Sequence, residues 1–365
     1  MLCCVYLIGL NDTTCYTSIM ASNDATPVPD NNRPTETRGR MSRQEIYDRL
    51  EEGLEEIRRV GGLPNPLEAE DIWGDIWQQE AHNSTAIEGN TLILREVAVL
   101  LREGRAIGNK QLRDYLEVRG YADAAQWVYS QALEPTWSGG ALLTLAEIRQ
   151  AHQLTMTPVW EVDPHPQALP EEKPGGFRRH DIAAFPSGMR PPTWTDVEVA
   201  MRDWVDVVCV GPDQGRPIPE VIAGWFAWFE RIHPFLDGNG RTGRLLTNLI
   251  LIRLGYPPAI VYKRQRAKYL DALAKADAGN VGPLGEFIAR AVLDTLYQFI
   301  VPAVAGPHRL VSLAALADRE ATARALRAAA ERGRLRAYRG GNGQWQSTRK
   351  WVDEYKRTRQ QRRAL

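Results

Sequence analysis

Twelve residues, His233-Pro-Phe-Leu-Asp-Gly-Asn-Gly-Arg-Thr-Gly-Arg244, interrupt the most apolar part of this chain. They place an imidazole, a carboxylate, three glycines, an asparagine and two arginines between two apolar runs, Val221 to Ile232 and Leu245 to Leu254. In the first run Val221, Ile222, Trp225, Phe226, Phe229 and Ile232 recur at helical spacing, and Ala227 and Trp228 extend the apolar surface around the axis. A helix that is apolar nearly all round is a central one. A polar, glycine-rich loop between two buried helices leaves backbone amides that need partners, and an anion at the N-terminus of the second helix is the natural one.

The rest of the chain also reads as helical. Ser42-Arg-Gln-Glu45 is a capping box that opens a helix to about Val60. A second helix starts near Leu67, carries Ile72, Trp73, Ile76 and Trp77, and passes into Ser84-Thr-Ala-Ile-Glu88-Gly89-Asn90. Ser84 and Glu88 are four apart and share a helix face, while Gly89 and Asn90 suit a helix end. Further helices are expected over 94–101, 110–133, 144–156, 197–208, 264–277 and 283–301. His152, alone on a mixed helix face, reads as structural rather than catalytic. Between Trp160 and Trp194 seven prolines break the helical period, and Pro174-Gly-Gly-Phe-Arg178 with the residues to Phe185 reads as a short β-excursion between turns. The expected core is all-α with one β-hairpin.

Charge divides the chain. Residues 306–365 carry 15 Lys and Arg against 5 Asp and Glu, a net of +10, so the other 305 residues, with 30 basic and 40 acidic, carry −10. In the basic segment Ser312 caps a short helix over 311–317, Thr322 to Arg332 reads as a second helix, and two short strands flank Gly340-Gly-Asn-Gly343. That order is the pattern of a winged helix-turn-helix, with Arg324, Arg327 and Arg332 on the second helix, Arg336 and Arg339 on the wing, and a basic tail over 349–363. Cys3, Cys4, Cys15 and Cys209 form no metal-type pair of pairs, and a reducing cytoplasm is the default location. No apolar run approaches the roughly 20 residues that span a bilayer. Met1 to Leu10 lacks a basic flank for a signal peptide, residues 22–40 read as disordered, and Met20 and Met41 are alternative starts.

Gly238-Asn-Gly240-Arg-Thr-Gly243 satisfies G-x-G-x-x-G, but no strand precedes it and no βαβ unit surrounds it, so a dinucleotide fold is excluded. No Walker A sequence occurs. What the loop offers is a phosphate cradle at a helix N-terminus, where glycines let amides approach an oxyanion. Arg241 and Arg244 are three apart and can serve one phosphate chain. Asp237 suits Mg²⁺ bridging phosphates, and His233 lies four residues away as a base for an attacking hydroxyl. Base, metal ligand, anion hole and charge clamp together describe nucleotidyl or phosphoryl transfer.

The twelve residues match every defined position of H-x-F-x-[DE]-G-N-G-R-x-x-R, and the chain in this respect resembles the Fic family. The resemblance implies a helical Fic core with a β-hairpin flap, and transfer of AMP from ATP to a Ser, Thr or Tyr hydroxyl of a target protein, with self-modification. It assigns the general base to His233, the Mg²⁺ ligand to Asp237, phosphate binding to Gly238, Asn239 and Gly240, and the phosphate chain to Arg241 and Arg244, the latter reaching the γ-phosphate. Ser84, Glu88 and Gly89 resemble the family's inhibitory helix, whose glutamate pairs with the second arginine. Gly176, Phe177 and Arg178 resemble the start of the flap, and Tyr269, in Arg266-Ala-Lys-Tyr269, resembles a residue near the nucleotide.

The resemblance covers about residues 42–300 and divides the chain into 1–41, disordered or upstream of the true start, an N-terminal helical region over 42–135, a catalytic core over 136–305 and the basic module over 306–365, an add-on common in related bacterial proteins. Two alternatives stay open: removal of AMP with Glu88 orienting water, and a DNA-binding regulator whose core senses nucleotide. The basic module is a DNA contact on one reading and a protein contact on the other; a homodimer is compatible with both, and a membrane is not expected.

Overall fold

A computed structural model of the chain describes residues 41–59, 62–64, 70–132, 141–185, 188–213, 215–301, 311–318, 320–339 and 344–361. The expected disorder before residue 41, the helix start near Leu67, the boundaries at 135/136 and 305/306 and the turn at Gly340–Gly343 lie outside the described residues. Within them, ten helices precede residue 302: α1 (Arg43–Arg59), α2 (Glu70–Ile87), α3 (Leu94–Glu103), α4 (Leu112–Ala132), α5 (Leu145–Trp160), α6 (Val197–Val210), α7 (Ile218–Ile232), α8 (Asn239–Arg253), α9 (Arg266–Asp277) and α10 (Gly282–Thr295). None of the described helices is long and apolar enough to cross a membrane.

The apolar stripes read from the sequence all meet in one core. Val221, Ile222, Trp225, Phe226, Phe229 and Ile232 of α7 are buried there with Leu245, Leu246, Leu249 and Ile250 of α8. Helix α4 packs on α2, α5 and α8, and α10 packs on α1, α7 and α9. Thr144 caps α5 as expected, accepting from the Glu147 amide while the Glu147 carboxylate accepts from the Thr144 amide. The helix then runs to Trp160 rather than Met156, with Pro158 inside its last turn.

A buried polar knot sets how α2 lies on this bundle. The Glu80 carboxyl of α2 accepts from the hydroxyls of Tyr121 and Tyr129 on α4 and from the Asn248 side-chain amide on α8. Burial pushes the Glu80 carboxyl up from its ordinary range, and the three donors oppose the shift. Three donors on a buried carboxyl make the helix position specific, since sliding α2 would strand them. Ser84, one turn further on, is thereby brought over α8.

The expected β-excursion over 174–185 forms no ladder. Residues 176–185 lie in neither helix nor strand, and Phe185 N donates to Met189 O and Gly188 N to Phe185 O. Pro191 and Pro192 follow at once, and without N–H groups they cannot extend the pairing.

The basic module contains the only strands among the described residues. Val311–Ser312, Trp345–Ser347 and Tyr338–Arg339 form an antiparallel sheet in that spatial order. Ser312 caps the short helix Leu313–Leu316 and Thr322 caps Ala323–Glu331, each hydroxyl accepting the amide three residues on. The basic stretch after residue 348 is a helix, Arg349–Gln361, whose Val352 joins a separate core with Leu313, Leu316, Leu326 and Leu335. An apolar residue every third or fourth position, Trp351, Val352 and Tyr355, carries that tail onto the core.

Helices α4 and α5 approach closely at Gly120, where a Cβ would overlap the Thr155 carbonyl oxygen. Backbone cannot yield as a side chain can. Gly120→Ala is therefore expected to lower the unfolding free energy by about 1–3 kcal/mol; an unchanged urea midpoint would show that the two helices can separate without cost.

Candidate active site

Helix α7 ends at His233, whose backbone is left-handed at φ 49 and ψ 62, the one such non-glycine among the described residues. A conformation of this kind costs about 1–3 kcal/mol and persists only where its surroundings dictate it. Here Arg178 does so. Its guanidinium donates to the carbonyls of Ile232 and His233 at 3.3 and 2.8 Å, and to those of His180 and Pro192 at 2.8 and 2.6 Å. Its amide donates to Pro234 O at 2.9 Å. The first two carbonyls belong to the unpaired C-terminal end of α7, so one buried side chain caps the helix and fixes the loop that leaves it.

The flap residues accordingly turn inward. A Cβ on Gly176 would overlap Glu171 O, Phe177 is buried against Phe235, and Arg178 is 1% exposed. Phe177 and Arg178 anchor the base of the flap to the loop, Gly176 packs against the turn before it, and in this structure Phe177 and Arg178 are buried rather than presented to a target.

His152 secures the other side. Its ring stacks on Phe235 with centroids 3.7 Å apart and planes at 2°. Nδ1 accepts from the Gly175 amide at 2.8 Å, so the proton sits on Nε2, which donates to Asp237 O at 2.9 Å. Burial pulls its pKa down to about 4, which keeps the ring neutral. The structural role expected of His152 is what the contacts describe. Asn239, expected to hold phosphate, instead closes the loop: Oδ1 accepts from Phe235 N at 2.9 Å and Nδ2 donates to Phe235 O at 2.8 Å. A side-chain amide can in this way pair with both the N–H and the C=O of one residue, which leaves the backbone amides and arginines to face an anion.

The remaining motif residues converge at the N-terminus of α8. Asp237 Oδ1 accepts from the Gly238 amide at 2.6 Å and lies 3.3 Å from Arg241 Nη2, while Oδ2 lies 3.8 Å from Arg113 Nη2. Burial works against its charge, but Arg241, the Gly238 amide and Arg113 hold the carboxyl below its ordinary range, so it is ionised. Arg241 is 4% exposed, and its Nε and Nη1 are enclosed without a hydrogen-bond partner. Enclosed donors of this kind ask for a ligand. The His233 ring has Nδ1 3.3 Å from Glu230 O, so Nδ1 carries the proton and the lone pair is on Nε2. Burial pulls its pKa down to about 4, leaving it neutral and able to accept a proton.

Arg244 is occupied. Its Nε donates to Ser84 Oγ at 2.7 Å, and its Nη2 to Ser84 O at 3.0 Å and Glu88 Oε1 at 2.8 Å. Burial opposes the charge and Glu88 restores it, keeping the guanidinium protonated. Glu88 lies in the turn beyond α2, with Gly89 at φ 107 ending the helix. That turn is held by Arg266, which donates to Ile87 O at 2.8 Å, and by Asn90, which donates to Asp114 O and Glu117 Oε2. A Cβ on Gly240 would lie 2.7 Å from Glu88 Oε1, so the carboxylate sits directly over the cradle. Tyr269 is buried between Phe226 and Phe287 and, with Arg244, lines an apolar cavity that also includes Val261 and Leu284.

Among the described residues no three His, Cys, Asp or Glu side chains cluster as a metal site. An ionised Asp237 beside phosphate-binding donors nevertheless fits Mg²⁺, which takes one or two carboxylates and completes its shell with phosphate and water. Sequence reasoning missed Arg113, Glu117, Asn90 and Glu230, and gave Arg178 and Arg266 other roles. Of these, Glu230 alone carried a local signal, as the one acid inside the apolar run of α7.

The helical bundle thus gathers a neutral imidazole, an ionised carboxylate and two buried arginines around one helix N-terminus. Residues 142–251 match the Fic/DOC family model. It is 31% identical over 227 residues to a protein adenylyltransferase Fic of Drosophila willistoni, covering 61% of this chain and 41% of that one. A protein of the same name from Nematostella vectensis is 29% identical over 262 residues, covering 70% of this chain and 56% of its own length. The chain thus spans about half the length of these relatives. Among solved structures, Fic-1 of C. elegans (residues 134–508) superposes with a TM-score of 0.57 at 24% identity over 70% of each chain. A Fic domain containing signaling protein from Bacteroides thetaiotaomicron superposes with 0.58 at 23% identity, over 72% of this chain and 98% of that one. The helical core expected from the sequence is therefore the fold these chains share.

Replacing Arg178 by Ala should strand the four carbonyls it serves. At about 1–3 kcal/mol for an unsatisfied buried group, a net loss of at least 3 kcal/mol is expected. A thermal midpoint within a degree of the parent would refute the anchoring role.

Proposed function

We propose that the chain transfers AMP from ATP to a Ser, Thr or Tyr hydroxyl of a target protein, itself included, and that Glu88 holds this activity off at rest. The observation that most supports the transfer is the junction of α7 and α8, where neutral His233, ionised Asp237 and the unpartnered donors of Arg241 meet at one helix N-terminus. In the reaction the acceptor oxygen bonds to the α-phosphorus, its proton passes to His233 Nε2, and the bond to the departing pyrophosphate breaks. Arg241 and the first amides of α8 face the charge that develops on the phosphate. Asp237 would hold Mg²⁺, which supplies neutralisation of the phosphate chain when bound. The names of the curated relatives agree with this reading, and a reducing cytoplasm, where ATP is abundant, suits it.

Inhibition follows from the charge on Arg244. A carboxylate 2.8 Å away answers the guanidinium that a terminal phosphate needs, and it also fills the space over Gly240. A hydrogen bond to a charged group is worth about 1.5–3 kcal/mol, so freeing Arg244 should raise productive binding by roughly ten- to a hundredfold. With radiolabelled ATP, Glu88→Gly is expected to label itself or lysate proteins by that factor more than the parent, and His233→Ala in the same background to abolish the labelling. Equal labelling with and without His233 sinks the transfer reading; equal labelling with and without Glu88 sinks the inhibition.

Two further readings have support of their own. Glu88 keeps about a third of its side chain exposed above the cradle, where it can orient water for removal of AMP. In that case Glu88→Gly loses hydrolysis of an AMP-protein linkage. In the basic module Arg324, Arg327, Arg332, Arg336 and Arg339 are all exposed, which supports a nucleic-acid contact. The full chain should then shift duplex DNA in a salt-dependent manner, and Arg324→Glu with Arg332→Glu should remove the shift. No shift at low salt argues against it.

A further inference from the structure

Glu230 is the charged group in the site to which no role has been assigned. It lies one turn before His233 on α7 and is 9% exposed. Its Oε1 is enclosed without a hydrogen-bond partner and faces α8, where a Cβ on Gly243 would come within 2.8 Å of it. Its Oε2 lies 4.0 Å from His233 Nδ1. Keeping a carboxyl in a dry pocket with one oxygen unsatisfied is costly, and a phenylalanine-lined wall such as Phe226 and Phe229 provides could be filled by an apolar side chain instead.

We infer that Glu230 is the positioning residue for the base: its backbone carbonyl, 3.3 Å from His233 Nδ1, holds the tautomer that leaves the lone pair on Nε2, and its carboxyl, 4.0 Å from the same nitrogen, steadies the imidazolium formed when Nε2 takes the acceptor's proton. The inference rests on the adenylyl-transfer reading of the site.

The left-handed turn makes the contact available. It folds the imidazole back over the end of α7, so Nδ1 meets both the carbonyl and the carboxyl of Glu230. A protonated imidazole would be poorly tolerated here, since burial outweighs the groups that favour it and leaves the ring's pKa at about 4. The Glu230 carboxyl lies 4.0 Å from Nδ1; Asp237 and Glu88 also favour the charged ring, and Arg178 opposes it. Coulombic attraction to a carboxylate at that range favours the charged ring in a weakly screened site.

The charge state of Glu230 depends on its surroundings. Besides His233 on its own helix, the groups that face it are Arg244 on α8, Glu88 beyond α2 and Asp277 at the end of α9. Burial pushes its pKa up to about 8, Arg244 opposes this, and Glu88 and Asp277 add to it. At rest the carboxyl is therefore largely protonated. Withdrawal of Glu88 removes one of the two like charges, and a proton on His233 adds an opposite one. Both changes favour release of the Glu230 proton to solvent before the step in which the acceptor oxygen bonds to phosphorus, the base takes the proton and pyrophosphate leaves. The group is thus neutral while Glu88 is seated and charged when the base needs a counter-ion.

The test compares Glu88→Gly with Glu88→Gly/Glu230→Gln and Glu88→Gly/Glu230→Asp. Gln keeps the shape of the neutral acid, so the double variant should fold with an unchanged thermal midpoint. Its kcat for AMP transfer is expected to fall on the order of tenfold or more, with KM for ATP within about twofold. In the Glu230 protein kcat should rise with pH along a limb at or below about 8, and that limb should vanish in the Gln variant. The second readout is independent of turnover. With ¹⁵N-labelled histidine, NMR titration should show the His233 pKa lowered by Gln and partly restored by Asp. If Gln leaves kcat, its pH profile and the ring titration unchanged, or if Asp restores nothing, the inference is overturned. Should Glu88→Gly transfer no AMP at all, the adenylyl-transfer reading fails, while the ring titration still decides whether Glu230 governs His233.

Discussion

The site depends on one unfavourable backbone conformation, the left-handed turn at His233. An apolar helix that simply continued would bury the imidazole in the core, and one that frayed would let the loop wander. The turn holds because three polar side chains grip it from different parts of the chain. Arg178 takes the carbonyls at the end of α7, His152 bridges the Gly175 amide and the Asp237 carbonyl, and Asn239 brackets the Phe235 peptide. Each uses most of its hydrogen-bonding capacity on main chain, so the loop is specified by donor and acceptor positions rather than by apolar contact alone. What is left over, the α8 amides and the donors of Arg241, faces the cradle.

A second constraint operates through Arg244. A guanidinium this deeply buried must have an anion or strong acceptors nearby. At rest those are Ser84 and Glu88, delivered from α2 by the Glu80 knot with Tyr121, Tyr129 and Asn248. On the proposed reading a terminal phosphate would meet the same requirement and compete with Glu88 for one charge. The position of α2, set by a buried carboxyl a turn away, is what would make that competition possible.

The helices around residues 46–57, 218–232 and 239–253 were legible because each hides a wide apolar face, and such a face has one period. The motif at 233–244 was legible because its residue types have few other uses together. The pairing of Glu88 with Arg244 was legible only through family resemblance, since the spacing of Ser84 and Glu88 by itself fits any solvated helix. Reading failed where local pattern underdetermines contact. The clamp that Asn239 makes on Phe235 and the cap that Arg178 makes on α7 were not foreseen, and residues 176–185, expected to include a strand, have no ladder partner. In each case the deciding partners lie at the end of α7 or in a proline-rich return, which the residue's own neighbours in sequence do not show.

The order of residues by itself determined that the chain forms a helical core around a polar loop, because hydrophobic periodicity is a local property and burial is its consequence. It also determined which groups can carry the chemistry, since an imidazole, a carboxylate and arginines at a helix N-terminus have intrinsic charge and proton affinity. The tertiary structure decided which of those groups are free. His233 is neutral because it is enclosed, Arg241 keeps Nε and Nη1 without a hydrogen bond because only its Nη2 reaches Asp237, Arg244 is engaged because α2 lies across it, and Glu230 faces the base because the helix end turns left-handed. Desolvation and pairing depend on distance in space, and residues 156 positions apart meet at 2.8 Å only after the chain has folded.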